Sequence, residues 1–246
     1  MKTNRSPSLQ AFGKRLLAAF FPERCLGCGQ VVRPGEGLCA PCKAKLGRVS
    51  LPVCPLCGCG KDRCTCKGKR RQFDGVVAPW YYEGVAKTGV LRFKSGGREY
   101  AAPYLAGQMA KHLRTCCEQL PFDGITFVPM HKDDQRKRGF NQSRLLAQQI
   151  GSLLHLPVLE LLAKVQQTAP QKGLNAAARA GNLLGVFDLI DPSAARVQGK
   201  TLLLAVPSAI MPHTTNYLFN PSHPAASSAA LSVESLRLDN RLLKGS

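Results

Sequence analysis

The chain has 246 residues, a formal net charge of +19 and 44% hydrophobic residues. It is long enough for one large domain or two small ones, and its charge attracts polyanions such as DNA, RNA, phosphorylated metabolites or an anionic membrane. A generally basic surface with no dedicated partner would give the same total charge. Neither a signal peptide nor an apolar run of about twenty residues is visible, so we expect a cytoplasmic protein with no membrane span.

The first 22 residues predict a short amphipathic helix. Leu9, Phe12, Leu16 and Phe20 lie on one face of it. We expect this face to dock onto the rest of the chain, because its apolar area is small for membrane binding.

Nine of the eleven cysteines lie between Cys25 and Cys66, and the first four form two Cys-x-x-Cys pairs separated by ten residues. Tetrahedral zinc is held by four thiolates, and each Cys-x-x-Cys turn supplies two of them. The spacing therefore predicts a first zinc site with four ligands, Cys25, Cys28, Cys39 and Cys42.

A second quartet follows, in which the closing pair is Cys-x-Cys. We expect its ligands to be Cys54, Cys57, Cys64 and Cys66, with Cys59 as an alternative to one of them. The two quartets predict a double zinc ribbon over residues 23–72, which ends in a basic linker from Lys61 to Arg71. A structural role is usual for zinc with four cysteines, although such ribbons also bind nucleic acid or proteins.

Alternating strands and helices predict a second domain, over residues 73–204, with an α/β fold and a parallel sheet. Lys94 precedes a glycine turn that ends at Arg98, and the vicinal Cys116 and Cys117 lie far from the ribbon motifs. The predicted strands are Val76–Tyr82, Pro157–Leu162, Leu183–Ile190 and Lys200–Val206, and the predicted helices are Val85–Phe93 and Tyr100–Leu120.

The stretch from Phe127 to Ile150 predicts a strand, a basic loop and then a helix. Gly139 permits a tight turn, and the Asn141 side chain can cap the helix. We expect Arg136, Lys137 and Arg138 to face the free N–H groups of that helix and to form an anion site there. A solvated basic connector is the alternative interpretation.

These motifs resemble the ComF/GntX family, which joins a double zinc ribbon to a phosphoribosyltransferase-like domain. The resemblance covers residues 20–204 and rests on the cysteine quartets, Lys94 and the glycines after it, VPMH at 128–131, RKRGFNQ at 136–142, and the polar segment with Gln171, Leu174, Arg179, Asn182 and Phe187. It implies a type I phosphoribosyltransferase fold with flanking helices. It also implies a role in DNA uptake and natural transformation, with single-stranded DNA and a helicase as partners. The implied phosphate or nucleic-acid contacts are Lys94, Arg136, Lys137, Arg138, Gly139, Asn141, Gln142 and Arg179.

The C-terminal residues depart from the family pattern. Where the family has two adjacent acids after the last strand, this chain has Ala205-Val206-Pro207-Ser208, and Thr214-Thr215 is followed by Asn216 instead of glycine. No Asp, Glu, Lys or Arg occurs from Thr201 to Val233. We interpret residues 205–246 as an atypical tail, produced by loss of the reading frame near Leu204 or by genuine divergence, and expect an incomplete sheet.

Three functions fit these features. The first is binding of single-stranded DNA, with Phe140, Trp80 or Tyr82 stacking on bases. The second is phosphoribosyl transfer from phosphoribosyl pyrophosphate with magnesium, which the missing acids argue against because they would hold the ribose. The third is a zinc-ribbon adaptor that docks onto a helicase. We favour the first.

Overall fold

The computed structural model describes residues 21–64, 66, 75–95, 97–117, 122–168, 186–190, 197 and 199–206. The predicted N-terminal helix, Arg179 and the tail after Val206 lie outside these residues. Two 3-10 helices, Lys61–Arg63 and Glu99–Ala101, accompany the main elements. In chain order these are α1 (Ala40–Ala44), α2 (Gly84–Ser95), α3 (Ala102–Cys116), β1 (Gly124–Phe127), α4 (Lys132–Arg138), α5 (Gln142–Leu154), β2 (Leu162–Lys164), β3 (Phe187–Leu189) and β4 (Leu202–Ala205).

A parallel pair of strands lies at the centre of the second domain. β1 pairs with β4 so that Gly124 lies opposite Leu202 and Phe127 opposite Ala205. On its other side, Ile125 forms a single parallel bridge to Val158. All four residues of β1 are buried, as expected for a parallel strand that is covered on both faces. The predicted mixed α/β fold with a parallel sheet is confirmed.

Two predicted strands and one strand pairing differ from the structure. The segment Val76–Tyr82 is not a strand, because Pro79 has no N–H to donate to a neighbouring strand. Its backbone forms hydrogen bonds with the ribbon instead: Pro79 O accepts from Val49 N, and Tyr81 N donates to Gly47 O. Pro157–Leu162 contributes only the bridge at Val158, and the following strand is β2. β2 pairs antiparallel with β3, a pairing that the sequence did not predict.

Helix α3 packs against α5, and α5 packs against the parallel pair of strands. The apolar side chains of α5, among them Leu146 and Ile150, are buried at helical spacing, and those of α3 include Leu105 and Leu113. The Asn141 side chain caps α5 by accepting from Arg144 N at 3.1 Å, which confirms the predicted cap. This packing fixes the start of α5 relative to β1.

One continuous core joins the ribbon to the second domain. Cys25 and Leu26 of the first ribbon belong to the same buried cluster as Phe93 of α2 and Ile125 of β1. The ribbon is therefore held by apolar packing as well as by its cysteines. Among the described residues, no helix is both long and apolar enough to cross a membrane.

Candidate functional site

The first cysteine group brings together Cys25, Cys28, Cys39 and Cys42. Their Sγ atoms all lie within 4.8 Å of one another, and the Sγ atoms of Cys28 and Cys39 are 3.6 Å apart. Tetrahedral zinc with Zn–S bonds of about 2.3 Å needs sulfurs about 3.8 Å apart. Cys39 immediately precedes α1 and donates its backbone N–H to Cys25 Sγ at 3.3 Å. The geometry fits a zinc ion.

The second group contains Cys54, Cys57, Cys64 and Cys66. The Sγ atom of Cys54 lies 3.6 Å from that of Cys66, and the Sγ atom of Cys57 lies 3.6 Å from that of Cys64. Cys59 does not belong to this group. Its buried side chain packs with Val49, Ala78 and Tyr81.

Cys59 was predicted as an alternative ligand, and the described structure does not place it among the sulfurs. Its backbone carbonyl accepts from Cys54 N at 2.7 Å, which holds the turn in which the side chain points to the apolar cluster. Burial raises the pKa of the Cys59 thiol. Because its side chain lies outside the four-sulfur group and in this apolar cluster, Cys59 is a packing residue in the structure.

The thiols within each group differ in pKa. Burial opposes ionisation of Cys25, but backbone N–H groups of Cys39, Cys28 and Gly27 lower its pKa to about 6. Cys54 likewise has its pKa lowered to about 7 against the cost of burial, with help from the Cys64 side chain. Burial raises the pKa of Cys42 to about 12. One thiolate is thus already favoured in each group, and a bound cation would favour ionisation of the others.

Both groups can therefore bind zinc. Each offers four sulfurs and no fifth ligand or open position among the described residues, which is the pattern of structural zinc. Zinc would hold each ribbon turn closed, and the chemistry it supplies is structural.

The basic segment after β1 is a helix, α4, and not the predicted loop. His131 caps it by accepting from Asp133 N at 3.3 Å, and its three cations occupy the last turn. Successive residues of a helix point about 100° apart. The prediction that Arg136, Lys137 and Arg138 face one anion site is therefore wrong, because their side chains point in different directions from α4.

The three cations have different surroundings. Arg136 is exposed and pairs with Asp133 at 3.5 Å. Lys137 is exposed, and its side chain has no polar partner among the described residues. Arg138 Nη1 donates to Gln142 Oε1 at 3.2 Å, across the turn at Gly139, where φ is 89°. The turn predicted at Gly139 is present, and only Arg138 lies at the start of α5.

Lys94 and Arg138, here called the cationic pair, both bond to Gln142 at this point. Gln142 Nε2 donates to the main-chain carbonyl oxygen of Lys94 at 2.8 Å, and its Oε1 accepts from Arg138. Burial lowers the pKa of Lys94, and the charge of Arg138 lowers it further. Within the described part of the chain, no carboxylate forms an ion pair with either cation. Glu99 is the nearby acid, with Oε1 3.9 Å from the position of a Cβ on Gly139.

Two predicted base-stacking residues are not available for that role. Trp80 is buried and stacks on Tyr104 with ring centroids 6.3 Å apart. Phe140 is half-buried and packs against Phe93 at 6.0 Å. Sequence reasoning also missed the hydrogen bonds that Arg92 donates to Gly27 O and Arg98 donates to Cys25 O. A cation in or beside a helix gives no sign of a partner more than sixty residues away.

Comparison with known proteins agrees with the cysteine geometry. A family model described as a double zinc ribbon domain matches residues 16–72. Competence protein F of Haemophilus influenzae is 32% identical over 187 residues, which cover 69% of this chain and 78% of that protein. The chain belongs to the competence protein F (ComF) family. No solved structure gives a significant match.

Two other relatives extend the comparison of this ComF-family chain. The DNA utilization protein YhgH of Escherichia coli strain K12 is 29% identical over 198 residues, 74% of this chain and 83% of that protein. Toxin Res of Pseudomonas putida is 46% identical over 90 residues, which are 37% of this chain. The match spans 57% of Toxin Res, so only about half of that protein has a counterpart here.

Proposed function

We propose that this ComF-family chain binds the phosphate backbone of single-stranded DNA during DNA uptake. The observation that carries the proposal is that Gln142 bonds both to the Arg138 guanidinium and to the main-chain carbonyl of Lys94, which places two cationic residues together without a carboxylate partner among the described residues. Two like charges side by side, one of them half-buried, are stabilised when an anion binds between them. The names of the relatives, competence and DNA utilization, support DNA as the source of that anion.

The zinc ribbon contributes indirectly to this function. With four cysteines and no open position, each zinc centre would stabilise structure rather than activate water. Cations outside α4, on the ribbon and in the Lys61–Arg71 segment, extend the positive charge from which DNA would gain counterion release. Lys61 and Arg63 are the described and exposed members of that segment.

Phosphoribosyl transfer is less well supported by this chain. β4 ends at Ala205 and is followed by Val206, so no carboxylate stands where the family places the pair that holds the ribose. Absence of a charge-assisted hydrogen bond costs about 1.5–3 kcal/mol of binding free energy. A phosphoribosyl donor would keep the cations for its pyrophosphate but would have no carboxylates for its sugar. We accordingly propose a phosphate-binding protein without transferase activity.

Binding of a fluorescent single-stranded DNA across a salt series tests the proposal. We expect the Lys94→Met variant to bind at least roughly tenfold more weakly at low salt, because it keeps the volume of the side chain and removes its charge. The Arg136→Ala/Arg138→Ala variant should lower the salt slope by about 0.7 for each phosphate that the protein no longer neutralises.

A variant with the same loss of charge provides the control. Lys87 and Lys111 are exposed on α2 and α3 and have no side-chain ion pair among the described residues. Lys87→Ala/Lys111→Ala should change affinity much less than Arg136→Ala/Arg138→Ala. Equal effects of the two double variants, or unchanged affinity of Lys94→Met, would contradict the proposed site.

A second proposal concerns the atypical tail. We infer that the reading frame was lost near Leu204, because no acidic pair follows β4 and no Asp, Glu, Lys or Arg occurs from Thr201 to Val233. Genuine divergence of residues 205–246 is the alternative.

Sequencing of the genomic locus distinguishes the two origins of the tail. Frame loss near Leu204 predicts a codon run for two adjacent acids in a neighbouring frame just after that point. Genuine divergence predicts one open frame and no such run. Absence of the acidic run would remove the second proposal and leave the DNA-binding proposal unaffected.

A further inference from the structure

Two arginines of the second domain contact the backbone of the first cysteine group. Arg92, on α2, donates through Nη1 to the carbonyl oxygens of Gly27 at 2.5 Å and Leu26 at 3.2 Å. Arg98, just after the glycine turn, donates through Nη1 to Cys25 O at 3.4 Å. All three carbonyls belong to the turn that joins Cys25 to Cys28.

A tyrosine strengthens the same contact. The Tyr100 hydroxyl donates to the carbonyl oxygen of Arg24 at 2.9 Å and accepts from the Arg24 N–H at 3.1 Å. Arg92, Arg98 and Tyr100 thus approach consecutive peptide groups from one side. Their acceptors keep these positions only while the turn stays closed.

Lys94 lies between Arg92 and Arg98 in the sequence. Its carbonyl oxygen accepts from Gln142, whose side chain also accepts from Arg138. One hydrogen-bonded series therefore runs from the first cysteine turn, through α2 and the glycine turn, to the start of α5. It includes the main chain of Lys94, the residue whose ammonium group the proposed anion site needs.

We propose that zinc at the first cysteine group positions Lys94, and that Arg92 and Arg98 are the residues that transmit this effect. A Cys-x-x-Cys turn has a fixed shape when both thiolates hold a metal and loses it when they do not. Loss of that shape removes the acceptors of two guanidinium groups, whose planar donors need fixed partners. The end of α2 then gains freedom, and Lys94 is no longer held beside Arg138. The positioning of Lys94 is a property of the fold, whereas its importance for binding rests on the proposed function.

The second cysteine group makes different contacts. Arg63, between Cys57 and Cys66, pairs with Glu83 at 3.1 Å and lies 4.2 Å from the centre of the Tyr81 ring. Gly60 N donates to the Tyr81 hydroxyl at 3.1 Å. In the described residues, no hydrogen bond joins the second group to the segment from Lys94 to Arg98. The second group is therefore an internal control for the first.

Hydrogen–deuterium exchange of two single variants tests the coupling. Cys28 and Cys64 are matched because neither is buried and each contributes one sulfur to its group. Zinc content should fall from two ions to one in each variant. We expect amide exchange over residues 94–98 to become roughly tenfold faster or more in Cys28→Ser and to stay unchanged in Cys64→Ser. The amides of α5 serve as the reference for general loosening.

A second variant keeps both metal ions. Arg92→Gln should also speed exchange over residues 94–98, whereas Lys87→Gln, on the exposed side of the same helix, should not. Combining Cys28→Ser with Arg92→Gln should add little to either change, because both interrupt one series of contacts. Unchanged exchange in Cys28→Ser, or equal exchange in Cys28→Ser and Cys64→Ser, would overturn the coupling. The hydrogen–deuterium exchange result does not depend on DNA binding. Failure of Lys94→Met to weaken DNA binding would therefore reject the proposed function and leave the coupling unaffected.

Discussion

The side-chain amide of Gln142 donates to the main-chain carbonyl of Lys94 at 2.8 Å and joins segments 48 residues apart. Only 1% of Gln142 is exposed, so its amide is an internal bridge rather than a surface group. The same side chain accepts from Arg138. The geometry at the start of α5 thus depends on one neutral residue between two cations.

Replacement of this bridge should destabilise the fold. Gln142→Leu keeps a side chain of similar size but removes its amide. The carbonyl of Lys94 then has no donor, which costs about 1–3 kcal/mol of unfolding free energy. Urea unfolding of the zinc-loaded protein measures the change. Gln148→Leu, at an exposed position of the same helix, is the control and should cost much less. A loss in Gln142→Leu no larger than that of the control would show that the bridge is dispensable.

Alanine substitution of two glycines should change the unfolding free energy in opposite directions. Gly139 has φ of 89°, where a Cβ is strained, and Gly139→Ala should lower the unfolding free energy by about 1–2 kcal/mol. Gly107 lies inside α3, where a Cβ would meet no neighbouring atom within 4 Å, and Gly107→Ala should raise the unfolding free energy by about 0.5–1 kcal/mol. Thermal and urea unfolding give both signs. The same sign for both variants would contradict the backbone argument.

The buried hydroxyl of Thr126, in strand β1, should not be needed for stability. Thr126 is 4% exposed, and its Oγ1 has no hydrogen-bond partner among the described residues. Thr126→Val removes a buried polar atom at the same volume in a strand, where valine is favoured. We expect the unfolding free energy to rise by up to about 1 kcal/mol, measured by urea unfolding. A clear loss of stability would show that the hydroxyl has a partner.

The vicinal cysteines should react slowly with alkylating agents. Burial, together with the neighbouring Cys117, raises the pKa of Cys116 to about 11. Its Sγ lies 3.5 Å from His112 Nε2, but burial lowers the pKa of His112, so the imidazole is neutral and does not stabilise a thiolate. At pH 8 the thiolate fraction should make iodoacetamide labelling about a hundredfold slower than that of a free thiol.

Mass spectrometry of the zinc-loaded protein measures this rate for Cys116. Since a raised pKa means less thiolate at a given pH, the rate should increase about tenfold for each unit between pH 7 and pH 10. Glutathione provides the comparison for an unperturbed thiol. Labelling of Cys116 at pH 7 as fast as that of glutathione would show that its pKa is not raised.

The metal groups could be predicted from the sequence because their information is local. Two cysteines three positions apart must lie within one turn, so Cys25 and Cys28 face one point whatever surrounds them. Asn141 was predictable as a cap for the same reason. Cys59 could not be placed in this way, because its exclusion depends on contacts with Val49 and Tyr81.

Helix α4 was missed because its seven residues are all polar and give no apolar period. The signals that were present are electrostatic. Asp133 and Asp134 lie near its N-terminus and three cations lie at its C-terminus, and the helix dipole favours each sign of charge at that end. By contrast, the contact of Arg92 with Gly27 spans 65 residues and follows only from the packed structure.

The register of the parallel pair has a consequence for whatever follows β4. Because Phe127 lies opposite Ala205 and the two strands run the same way, Val128 and Val206 leave the sheet side by side. The chain that leads to His131 and α4 and the chain that leads to Pro207 therefore start from the same edge. The residues that the family resemblance implies after β4 would therefore start beside the segment that leads to α4, whereas the metal centres and the cationic pair belong to other parts of the chain.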